Sequence, residues 1–338
     1  RRCVSKCQRE GGEGAPFFCS RTRTRKMLKS LTFSDLYLGQ ENCWLSGVPK
    51  TCDPIPAPPE CAQELKELRD LCTKVSATTS RQEFSVKHKD IAYRASLLKS
   101  LSEDVYVLRR FPETVPEITD LGVHPRYVEL LMKPRLTGLI VVAGAFGQGK
   151  TTTASAIIAG RISHFGGVAV CIEDPPEMPL EGRRGEGVIY QRWVEQGGFA
   201  QECRQAARWA PSIIFVGEVR DAETATEALR ASINGRLVIC TIHSDSARTA
   251  VDRLYALANG VAGSSDDVAN LMAIGLRAIV HQSLEGDPKR PRIEFLWLDG
   301  EDAVGAQNTI RQKKFNQLDN EIILQRNKML MQGRRVGE

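Results

Sequence analysis

With 338 residues, 42% of them hydrophobic and 26% charged, the chain is long enough for two ordinary domains and has the balance of a soluble globular protein. Its longest apolar runs, residues 139–143 and 168–172, fall far short of the roughly 20 residues a bilayer crossing needs, so no integral membrane segment is expected. The net charge of +5 is modest, and residues 1–30, with nine Arg or Lys against two Glu, account for it, leaving the remainder slightly acidic.

Residues 1–30 read as a basic tail, solvated and disordered, and nucleic acid is not the expected partner. No apolar stretch with a small-residue cleavage site follows the N-terminal charges, which points to a cytoplasmic protein. The ten cysteines lie irregularly, as expected of reduced thiols. Cys3, Cys7 and Cys19 lack the two-residue spacing of a zinc knuckle.

Residues 31–112 mix short apolar segments with a proline-rich patch at 54–59, which is expected to be a loop. A helix fits residues 60–73, where Leu65, Leu68 and Cys72 share one face. This reads as a small α+β domain. Pro112 and Pro116 mark a linker into a second domain, residues 113–338. There the pattern changes. Apolar runs at 139–143, 168–172, 213–216 and 237–241 alternate with helical stretches at 150–163, 200–209 and 222–232. That alternation predicts an α/β domain, a mostly parallel sheet covered by helices, whose ligands bind beyond the carboxyl ends of the strands.

The first strand runs into Gly144-Ala145-Phe146-Gly147-Gln148-Gly149-Lys150-Thr151, the G-x-x-x-x-G-K-[ST] spacing of a phosphate-binding loop, and Lys150 opens the next helix. Glycines let successive main-chain N–H groups point inward, and the helix N-terminus adds partial positive charge, so the chain itself solvates a polyphosphate. Lys150 would reach the β and γ phosphates. The Thr151 hydroxyl would be an oxygen ligand for Mg²⁺, with Thr152 assisting.

Each later strand end carries polar groups. The second strand ends in Glu173-Asp174-Pro175-Pro176-Glu177, three carboxylates whose mutual repulsion makes sense beside a metal or a reacting water. The third ends in Gly217-Glu218, the Walker B pattern of an acid that holds Mg²⁺ or attacking water. The fourth ends in Thr241-Ile242-His243, where a histidine would either sense a γ-phosphate or serve the structure of the strand end.

In this order the four segments resemble the Walker A, Asp box, Walker B and His box of the PilT/GspE secretion-ATPase superfamily. Ser34-Asp35-Leu36-Tyr37-Leu38 is similar to the family's N-terminal Ser-Asp-Leu-His-Leu, and Ile310-Arg311-Gln312, Gln317-Leu318 and Asn320 to the C-terminal end of its PilT branch, so the resemblance covers about residues 31–330. The lack of a four-cysteine insert makes PilT-like or DotB/TraJ-like relatives the better fit. The resemblance implies a PAS-like N-terminal domain, a RecA-like C-terminal domain and a homo-hexamer with ATP bound between domains. It also implies an inner-membrane platform protein as partner, with the motor on the cytoplasmic face. Glu177 matches the Asp-box glutamate proposed as general base, and Glu218 the Walker B acid. Arginines that the family directs at the transferring phosphoryl group would here be Arg94, Arg109 or Arg110, then Arg204 and Arg208.

Departures from the family are Ala145-Phe146 for the usual Pro-Thr, Gln148 for Ser, and Arg236 for the first histidine of the His box. The implied function is an ATP-driven motor of a type IV pilus or secretion machine. The alternatives are a nucleic-acid translocase or conjugation accessory ATPase, and a nucleotide-binding scaffold with little turnover.

Overall fold

A computed structural model describes residues 28–51, 54–79, 81–194, 197–260, 265–286 and 290–334. The expectations for residues 1–27, Cys3, Cys7 and Cys19 among them, lie outside the described residues. The chain divides into two compact units, one ending at Arg110 and the other beginning at Phe111.

The first unit is α+β. Its elements are β1 (Asp35–Leu38), β2 (Cys43–Ser46), β3 (Ile55–Pro56), α1 (Ala62–Thr78), β4 (Glu83–His88), β5 (Ile91–Lys99) and β6 (Asp104–Arg110). The strands form one antiparallel sheet in the order β3-β2-β1-β6-β5-β4. Alternation selects the buried face: Ile91, Tyr93 and Ala95 of β5, Tyr106 and Leu108 of β6, and Leu36 and Leu38 of β1 meet Leu65, Leu68 and Cys72 of α1. Each large apolar side chain sealed this way contributes about 1.5–3 kcal/mol. The helix face expected from sequence is the one that packs, and the helix continues to Thr78 because Val75 extends the same stripe.

The proline-rich patch is not entirely loop. Ile55 and Pro56 pair with Leu45 and Trp44 as the edge strand β3, and Ala57 N–H donates to Cys43 O at 2.8 Å. A proline, which has no N–H, is tolerated there because an edge strand leaves one side of its backbone unpaired.

The second unit is α/β. It contains α2 (Pro125–Leu131), β7 (Gly138–Gly144), α3 (Lys150–Phe165), β8 (Gly167–Glu173), β9 (Gly182–Arg184), β10 (Gly187–Trp193), α4 (Phe199–Arg208), β11 (Ile213–Val216), α5 (Ala222–Ile233), β12 (Leu237–His243), α6 (Ala247–Asn259), α7 (Ser265–Gly275), β13 (Leu276–Glu285), β14 (Arg290–Trp297), α8 (Val304–Arg311) and α9 (Leu318–Arg334). The sheet order is β14-β13-β7-β12-β11-β8-β10-β9. Neighbours from β13 to β10 are parallel, and β14 and β9 close the edges antiparallel.

Helices cover both faces. Leu139, Val141 and Ala143 of β7 belong to one apolar cluster, with α4 to α8, while Ile140 and Val142 belong to the other, with α2 and α3. Burial on both sides is why β7, β8, β11 and β12 read as unbroken apolar runs. The four strands and three helices expected from these runs are present. The hairpin of β13 and β14 is additional to them, since polar residues from His281 onward break its apolar run. Among the described residues no helix is long and apolar enough to cross a membrane.

Candidate functional site

Four strand ends of the second unit lie side by side: β7 pairs with β12, β12 with β11, and β11 with β8. The loop leaving β7 turns on Gly144, Gly147 and Gly149, at φ of 153°, 72° and 76°. At Gly144 the requirement is absolute, because a Cβ would stand 2.4 Å from Gln282 O. Gly149 caps α3 in a left-handed conformation with no side-chain cap, and Thr153 N–H makes the first helical bond, to Gly149 O at 3.0 Å. The N–H groups of the preceding turn have no intrahelical acceptor, which is the anion-binding property of a helix start.

Lys150 is nearly buried, at 8% exposure, and folds back over the loop. Its Nζ donates to Ala145 O at 2.8 Å and lies 3.4 Å from His243 Nδ1. Burial lowers its pKa, opposed by the charges of Glu218 and Glu177. His243 Nε2 stands 3.2 Å from Glu218 Oε1, and Arg220 Nη2 donates to Glu218 Oε2 at 2.6 Å. An ammonium can only donate, so Nδ1 accepts and the proton belongs on Nε2, facing the carboxylate. Burial, then the Lys150 charge, lowers the His243 pKa, in keeping with that neutral tautomer. Phe146, 84% exposed, lies nearly parallel to the His243 ring at 6.3 Å between centroids.

The three carboxylates after β8 occupy different settings. Glu173 is 2% exposed and accepts from Gln191 Nε2 at 2.8 Å. Burial pushes its pKa up to about 7, against the hydrogen bonds from Gln191 and the Glu177 backbone. Asp174 accepts from Trp193 Nε1 at 3.3 Å, while Glu177 is exposed. Gln191 organises this loop. Its Oε1 accepts from Leu180 N and Glu181 N, at 3.0 and 2.9 Å, and its Nε2 also donates to Met178 O at 2.9 Å.

Lys150, Glu218 and His243 are therefore joined through direct contacts, with Glu177 near enough to act on Lys150 electrostatically. Thr151 and Thr152 are half-buried in the first turn of α3. Four of the five arginines hold partners elsewhere: Arg204 of α4 lies 3.4 Å from Glu227, while Arg208 is exposed at the end of α4. In the first unit, Arg94 makes two bonds to Glu83 at 2.9 Å, Arg109 Nε donates to Asp35 at 2.8 Å and Arg110 Nη1 to Leu31 O at 2.8 Å.

Sequence reasoning does not single out Arg220, Gln191 or Gln282 as site residues. Arg220 stands two residues beyond Glu218, close enough to be suspected. Gln191 and Gln282 sit in strands with nothing in their local pattern to mark them.

The family model described as type II/IV secretion system protein matches residues 67–289. The chain belongs to this family. Its members include secretion and pilus ATPases of the PilT/GspE superfamily. The chain is 37% identical over 214 residues to the uncharacterised protein YggR of Escherichia coli K12, covering 62% of this chain and 63% of YggR. It is 32% identical over 174 residues to the competence protein ComGA of Bacillus subtilis 168, covering 50% of this chain and 48% of ComGA. The match thus spans less than two thirds of the length of these curated relatives. A crystal structure of the pilus retraction motor PilT with bound ADP resembles it with a TM-score of 0.70 and 26% identity, covering 86% of each chain.

Proposed function

We propose that this chain is an ATP-hydrolysing motor subunit of a type IV pilus or secretion machine, working as a homo-hexamer on an inner-membrane platform protein. One observation carries the reading: a phosphate loop whose lysine is linked through His243 to Glu218 at the carboxyl ends of three adjacent parallel strands. Loop N–H groups and Lys150 would bind the polyphosphate, and His243 would hold Glu218 in register with it. Glu177, exposed beside the array, would take the proton of the attacking water.

The oxygen donors Thr151 and Glu218 suit Mg²⁺, a hard cation usually held by one or two protein groups plus phosphate oxygens. When bound, Mg²⁺ supplies charge neutralisation on those phosphate oxygens. Glu218 already receives Arg220 and His243, so it would serve Mg²⁺ through water or after one partner leaves. Arg94, Arg109, Arg110, Arg204 and Arg208 are the available cations for a phosphoryl group at a site that a neighbouring subunit helps to complete. Each would first exchange a present partner or solvent for it.

The test is Mg²⁺-dependent ATPase activity of the purified chain. Lys150→Ala and Glu218→Ala are each expected to lower it by roughly 100-fold or more. A wild-type chain without ATPase, or variants as active as wild type, would remove the reading.

A further inference from the structure

Beyond the charged array, the phosphate loop is gripped from its other side by uncharged groups. The parallel pairing of β13 with β7 ends at His281 and Ala143, because β7 turns into the loop at Gly144. β13 runs on for four residues, through Glu285, beside the loop instead of beside a strand, paired only with β14. Gln282, at 2% exposure, sits at that transition.

Its amide uses both ends. Oε1 accepts from Thr153 Oγ1 at 2.6 Å, in the first turn of α3, and Nε2 donates to the main-chain carbonyl of Gln148 within the loop. Gln148 answers in the opposite direction, its Oε1 accepting from Leu284 N at 2.6 Å. Two side-chain amides thus cross between loop and strand, and between them they engage Thr153 Oγ1, Gln148 O and Leu284 N. The Gln282 carbonyl lies against Gly144, so the strand also sets the start of the loop. Gln148, a departure from the family pattern, is half of this interlock.

We infer that Gln282, acting with Gln148, is a positioning residue of the phosphate site, fixing residues 145–149 and the start of α3 so that their N–H groups face a polyphosphate before it arrives. The inference rests on the reading of this loop as a nucleotide polyphosphate site. An interlock made of uncharged groups does this without competing for the phosphate charge, which Lys150 and the helix start are left to meet. Groups already in place lose less freedom when the ligand binds, so the effect appears in affinity. A glutamine that served only core stability would affect unfolding and leave the affinity of the folded protein alone.

Full-length wild type, Gln282→Leu, Gln148→Ala and the double variant are compared by titration with ADP and Mg²⁺, by ATPase kinetics, and by thermal unfolding. Gln282→Leu is expected to raise the ADP Kd and the ATP KM roughly tenfold or more, about what one or two lost hydrogen bonds produce, with a much smaller change in kcat. Gln148→Ala raises Kd in the same direction, and the double variant binds measurably tighter than the sum of the two single effects predicts, since both break one unit. Folded Gln282→Leu binding ADP as wild type does, or strictly additive effects, would overturn the inference. If Gln282→Leu does not fold, unchanged ADP affinity in Gln148→Ala, whose side chain is half exposed, overturns it instead. Wild type that binds neither ADP nor ATP fails at the earlier step and removes the nucleotide-site reading itself.

Discussion

The two sides of the loop that follows β7 differ in kind. Toward β12 and β11 stand the charged groups Lys150, Glu218 and Arg220, with neutral His243 bridging Lys150 and Glu218, an array partly open to solvent. Toward β13 stand neutral amides, Gln148 and Gln282, with Gln282 closed off from water. Charges drawn partly out of water are costly without partners, so these groups hold one another. Shape is held more cheaply by amides, because a neutral hydrogen bond costs less to desolvate than an ion.

Several experiments would sharpen or break that contrast. The largest expected change is on the charged side. His243→Ala should lower kcat on the order of 10- to 100-fold, since Glu218 then loses its tie to Lys150, while unfolding moves little. Equal activity in steady-state kinetics would leave His243 as packing only.

In stability rather than activity, the test is the pH response of Glu173, which belongs to neither side and is buried in the carboxylate loop after β8. Its folded pKa is raised from 4.5 to about 7, so the folded state holds a proton that the unfolded chain releases. The stabilisation is fully present below about pH 4.5 and is lost as pH rises through about 7, by on the order of 3 kcal/mol. Urea unfolding across that window should show the decline in wild type, and Glu173→Gln should flatten it. An unchanged slope would place the Glu173 proton elsewhere.

The smallest change is expected at Phe146. Its ring is largely in solvent and touches the array only by stacking on His243. Phe146→Ala should alter ATPase activity by less than about threefold in the isolated chain, an exposed aromatic contact contributing about 0.5 kcal/mol, the low end of the range for such pairs. A much larger loss in kcat would show that the ring screens the array from water.

Much of the fold is legible in the run of residues. Strands buried on both faces are written as continuous apolar runs, so β7, β8, β11 and β12 can be located within two residues at either end. The helix face of Leu65, Leu68 and Cys72 is legible from its period. Where pairing depends on a distant partner, local pattern fails. Ile55 and Pro56 form an edge strand because β2 offers them a partner, and β13 continues past His281 through polar residues because β14 pairs with it.

The site divides in the same manner. Spacing marked the candidate phosphate loop and its lysine, since a loop that cradles phosphate demands glycines and a lysine at set intervals within one short segment, and the apolar runs put acids and a histidine at successive strand ends. Only the tertiary structure decided which partners those groups take: that His243 bridges Lys150 and Glu218, that Glu173 is buried against Gln191, and that Gln282 grips the loop from 134 residues away. A hydrogen bond between residues far apart in sequence leaves no local pattern, because the contact is made by the packing of strands and not by the run of the chain.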